Sequence, residues 1–61
     1  MSNLTKFRRK RGLTIDELAK KAGVAGATIC RYERGERQMP VETAKRIAQA
    51  LRIRWWWRLY D

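Results

Sequence analysis

The chain has 61 residues, with 15 Lys and Arg against 6 Asp and Glu and no His, giving a formal net charge of +9 at pH 7. That length points to one domain, residues 1–61, and a domain so small buries only about 60% of the surface its unfolded form exposes, which argues against a large enclosed substrate cavity. One Cys closes no internal disulfide and, without His, builds no zinc site, while a 44% apolar content separates the chain from disordered basic tails.

The first predicted helical run is Leu4 to Arg11, started by Ser2 or Asn3 as a cap. Leu4 and Phe7 share a face, and Lys6, Arg9 and Lys10 point away from it. This basic run reads either as a solvated face or as a phosphate-contact surface. Five positive charges with no acid in the first twelve residues favour the second reading.

The second run opens at Thr14. Thr14 and Glu17 match a capping box, in which each side chain satisfies an orphan backbone donor of the other. Asp16 and Glu17 also suit the positive end of the helix dipole. Leu18, Ala19 and Ala22 form the inward stripe. Gly23 ends the run in the left-handed conformation that glycine adopts without steric cost, as Gly12 and Gly35 are expected to do elsewhere.

Gly23, Val24 and Ala25 then separate the second run from the third. Two short helices joined by such a turn make a helix-turn-helix unit, with Val24 plugging the angle between them. On the third helix Ile29 and Tyr32 point inward. Gly26, Ala27, Cys30, Arg31 and Arg34 share the outer face, which carries no large apolar side chain. Cys30 reads as a small filler there; a redox switch would place polar bulk on that face, and only the neighbouring Arg31 speaks for a reactive thiol.

The fourth run follows Pro40, with Ala44, Ile47, Ala48 and Leu51 at helical spacing. The last ten residues, 52–61, read RIRWWWRLYD and form a short fifth helix or an extended tail. Because a helix turns about 100° per residue, Trp55, Trp56 and Trp57 cannot all enter one core. One or two should pack near Leu51 and Ile53, and the remainder suits a dimer interface, since interfaces favour Trp and Arg. Anchoring at a membrane interface or stacking on unpaired bases is disfavoured, because a folded domain precedes the segment and its apolar stretch is short. No run reaches the roughly 18 apolar residues of a membrane span, and no signal peptide is visible.

From Gly12 to Glu36 the chain reads GLTIDELAKKAGVAGATICRYERGE. This stretch closely resembles the lambda-repressor-like helix-turn-helix family, which includes the phage Cro proteins. GLT-x-x-ELA, the GV turn and RYERGER stand in the family's order and spacing, and the resemblance extends from Leu4 to Ile53. It implies an all-α bundle of four to five short helices, bound to double-stranded DNA as a homodimer with the third helix in the major groove. It also implies an ion pair between Arg8 and Glu33 that ties the first helix to the third.

By the same resemblance, phosphate contacts fall to the start of the second helix at Thr14 and Ile15, where the backbone amides and the dipole favour an anion. Members often carry Gln at the Ile15 position, so only an amide contact is expected there. Thr28, Arg34, Arg37, Gln38 and Arg9 complete the expected phosphate set. Base-reading positions hold Gly26, Ala27 and Arg31. Ala27 can touch a thymine methyl, and Arg31 can pair with guanine. One bidentate pair discriminates by about 1–3 kcal/mol, short of the roughly 4–10 kcal/mol that separates specific from non-specific binding. Dimerisation and indirect readout must supply the rest. Ala25 and Gly26 also weaken the start of the third helix, with no compensating feature visible in the sequence.

These features describe a transcriptional regulator, a repressor of bacterial or phage origin, acting in the cytoplasm at the nucleoid. The side-chain-poor start of the third helix supports an alternative, a protein-interaction module such as an antirepressor that binds a related regulator. A membrane-active peptide built on residues 52–61 is a third reading. No metal or other cofactor is expected, and no enzyme: there is no His, no nucleophile with a base, and no carboxylate pair in a plausible cleft.

Overall fold

The computed structural model describes residues 2–60; Met1 and Asp61, the two ends of the expected domain, lie outside the described residues. Helix α1 spans Asn3–Lys10, α2 Ile15–Ala22, α3 Gly26–Arg34 and α4 Val41–Ala50, and a 3₁₀ turn follows at Trp56–Leu59. Among the described residues there is no strand, so the architecture is an all-α bundle.

Each helix start follows from its local chemistry. Ser2, rather than Asn3, caps α1: the Thr5 amide donates to Ser2 Oγ at 3.1 Å. At α2 the capping box is complete, with the Glu17 amide donating to Thr14 Oγ1 at 3.1 Å and the Thr14 amide to Glu17 Oε1 at 2.8 Å. Ala25 gives α3 no side-chain cap, and Pro40 precedes α4 in extended conformation. Gly23 and Gly35 end α2 and α3 at φ 72°, the left-handed region open to glycine.

The end of α4 departs from that pattern. Arg52, not a glycine, takes φ 58°. The Ile53 amide reaches back to the Ala48 carbonyl at 2.8 Å, closing the helix in a Schellman-type turn. Arg11 braces this strained corner from α1, its Nε donating to the Leu51 carbonyl at 2.8 Å and its Nη2 to the Arg52 carbonyl at 3.3 Å.

Leu4, Leu18, Ile29, Ile47, Leu51 and Leu59 are the largest fully buried side chains. Every element therefore contributes to one core, including the C-terminal turn through Leu59. Val24 packs against this core from the turn between α2 and α3. The C-terminal segment is neither a regular helix nor a free tail. Asn3 Nδ2 donates to the Tyr60 carbonyl at 2.8 Å, and the Tyr60 hydroxyl donates to the Met39 carbonyl at 2.6 Å. Trp56 packs on the core, while Trp55 and Trp57 remain 44% and 53% exposed.

Candidate nucleic-acid interface

Helix α3 is fastened from beneath. Arg8 Nε donates to Glu33 Oε2 at 2.6 Å and Nη2 to Glu33 Oε1 at 3.3 Å, while Nη1 donates to the Leu13 carbonyl at 2.8 Å. The two side chains are only 12% and 10% exposed. The bidentate geometry orients both groups. With three donors committed inside the fold, Arg8 serves as a strut rather than as an open cationic arm.

The outer face of α3 meets the start of α2 in a shallow groove of about 600 Å³, lined by Arg8, Thr14, Ile15, Asp16, Gly26, Ala27 and Cys30. Thr14, Ile15, Gly26 and Ala27, expected from sequence to contact DNA, are thus brought together. The Thr14 amide is already committed to Glu17, so at the start of α2 an anion must be met by the amides that follow it or by the Thr14 hydroxyl. Arg31 is exposed one turn along α3, and Thr28 is half-buried.

The remaining expected phosphate contacts are dispersed. Arg34 is exposed and lies 3.9 Å from Glu36, a surface pair that constrains it little. Arg37 and Gln38 line a second depression of about 580 Å³ that also includes Tyr32, Val41 and Tyr60. Arg9 is exposed on α1. At the far end of the chain, Trp55 and Trp57 lie with ring centroids 5.2 Å apart, and Arg54 sits over the Trp55 ring at 5.6 Å.

Sequence reasoning missed the place of Asp16 in the groove. A Cβ on Gly26 would stand 2.8 Å from Asp16 Oδ1, the free end of an exposed side chain, so a side chain at residue 26 would push this carboxylate away from the start of α3. The signal was the unusual glycine itself, but its partner lies ten positions earlier on another helix. The Glu17 carboxyl, by contrast, is absorbed in the capping box: the Thr14 amide first, then the Thr14 hydroxyl and the Lys21 charge, hold it below its usual value of 4.5.

A helix-turn-helix family model matches residues 4–55. The chain belongs to the lambda-repressor-like helix-turn-helix family. It is 43% identical over 51 residues to the HTH-type transcriptional repressor RghR of Bacillus subtilis (strain 168), an overlap that covers 82% of this chain and 38% of that protein. The chain therefore spans well under half the length of this relative. The matched region contains α2, the turn and α3, so the groove is formed by the family's defining elements. Among the described residues, no helix is long and apolar enough to cross a membrane, and no group of three or more His, Cys, Asp or Glu residues could hold a metal ion.

Proposed function

We propose that residues 1–61 act as one unit that binds double-stranded DNA sequence-specifically, as a homodimer, and represses transcription at the bacterial nucleoid, as a repressor of bacterial or phage origin. The observation that carries this reading is the groove between α2 and α3. It brings Gly26 and Ala27, which carry little side chain, beside Thr14, Ile15 and Asp16 at the start of α2. A major groove about 12 Å wide admits such a helix. The +9 charge supplies the long-range attraction to phosphate, and the relative's name as a transcriptional repressor points the same way.

In this reading α3 lies in the major groove. Ala27 and Arg31 face bases, and Ile15, Thr14, Thr28, Arg34, Arg37, Gln38 and Arg9 face phosphates. Trp55 and Trp57, exposed and flanked by Arg54 and Arg58, supply the two-fold contact, with residues 52–61 as the dimerisation element.

The test is selection from a random pool of duplex DNA at near-physiological salt. The expected product is an inverted repeat whose half-sites lie about one helical turn, ~34–36 Å, apart. No retention of DNA would overturn the reading and favour a protein partner. Replacing both Trp55 and Trp57 with Ala should shift sedimentation towards the monomer and weaken binding to the full repeat more than to a single half-site.

A further inference from the structure

We infer that Asp16 is a base-discriminating residue, and that Gly26 is the residue that lets it act. The inference rests on the proposed DNA-binding function and assigns a chemistry to the least explained part of that interface.

The start of α3 carries Ala25, Gly26 and Ala27, none of which offers a side-chain hydrogen bond. The position is nevertheless not empty. Asp16 Oδ1 lies 2.8 Å from the place a Cβ of residue 26 would take, so a side chain from α2 fills the room that a side chain of α3 would claim. Asp16 is exposed, lines the groove with Thr14, Ile15 and Ala27, and makes no hydrogen bond or ion pair among the described residues. The other acid in this first turn, Glu17, is taken up by the capping box.

A free carboxylate facing a polyanion is repelled by the phosphates unless it finds a donor. The major groove offers two, the N4 amine of cytosine and the N6 amine of adenine. Adenine places its N7 acceptor beside that amine, where it opposes the second carboxylate oxygen. Cytosine presents its amine without a neighbouring acceptor on the same base. The geometry therefore selects cytosine at one position of each half-site. A carboxylate also accepts hydrogen bonds only, so it rejects the acceptor edges of guanine.

The duplex selection is repeated with Asp16→Ala and with Gly26→Ala, helical content being checked by circular dichroism. Asp16→Ala removes the acceptor. Gly26→Ala leaves it in the chain but displaces it, while favouring the helical state of residue 26. Wild type should enrich cytosine at one half-site position, and both variants should lose about tenfold of that preference, at that position and not elsewhere. A doubly substituted chain should lose little more than either single variant, because the two changes disable one contact. Unchanged base preferences would overturn the inference. So would tighter binding to all sequences alike in Asp16→Ala, which would make the carboxylate a general repellent, or a wild-type site without the cytosine. A wild-type chain that retains no DNA would instead bring down the DNA-binding function, and this inference with it.

Discussion

At its C-terminal end α3 is tied to the rest of the molecule twice, through Glu33 and Tyr32, and is closed by a glycine. Glu33 grips Arg8, Tyr32 is buried in the core, and Gly35 turns the chain in a left-handed conformation. At its N-terminal end Ala25 supplies no cap, Gly26 has no side chain and Ala27 is exposed. The start of α2, a few ångströms across the groove, shows what the start of α3 has given up, since there Thr14 and Glu17 satisfy one another's amides. One helix thus has an anchored end and a bare end. The anchored end holds the helix in place, and at the bare end the Asp16 carboxylate of α2 stands where a side chain of residue 26 would be.

The largest predicted effect comes from breaking the anchor. Glu33→Ala leaves the largely buried Arg8 guanidinium without its carboxylate; breaking a fully buried pair costs about 3–5 kcal/mol, and this one should approach the lower end of that range. In a domain this small that should abolish the cooperative urea transition at room temperature. Tyr60→Phe loosens the segment beyond the anchor by removing the hydrogen bond to the Met39 carbonyl. It should lower stability by about 0.5–1.5 kcal/mol, read as a lower urea midpoint. Ala25→Ser makes the bare end resemble the start of α2, because residue 25 already has the extended backbone of a capping position. It should raise stability by about 0.5–1 kcal/mol, measured as a higher urea midpoint.

The smallest effect belongs to the capped end of α2. The Glu17 carboxyl has its folded value held below the usual 4.5. Its contribution is therefore fully present above the unfolded value and is lost as pH falls through the lower folded one. Glu17→Gln keeps a capping side chain without the charge. Wild type and variant should accordingly converge in urea midpoint as pH is lowered below 4.5.

Much of this fold was legible because its signals are local. The Thr14–Glu17 pair, Gly23 and Gly35 mark helix ends within a few residues of where they act, and Ala44, Ile47, Ala48 and Leu51 show the period of α4 directly. The C-terminal segment was not legible for the opposite reason. Three adjacent Trp residues have no period, and what fixes the segment are contacts from Asn3 to Tyr60 and from Tyr60 to Met39, distant in sequence. The left-handed Arg52 is likewise held by Arg11 from another helix and carries no glycine to announce it. In the candidate site the bareness of Ala25, Gly26 and Ala27 was visible, but Asp16 read only as a residue suited to a helix dipole. Its placement over Gly26 depends on the angle between two helices.

The most direct test of the account is an amide-resolved NMR titration of the isotope-labelled chain with a duplex recovered by selection. The largest shift changes should fall on Ile15, Asp16, Gly26, Ala27 and Arg31, the bare end of α3 and the start of α2 beside it. Changes confined to residues 54–58, with the groove unperturbed, would contradict it.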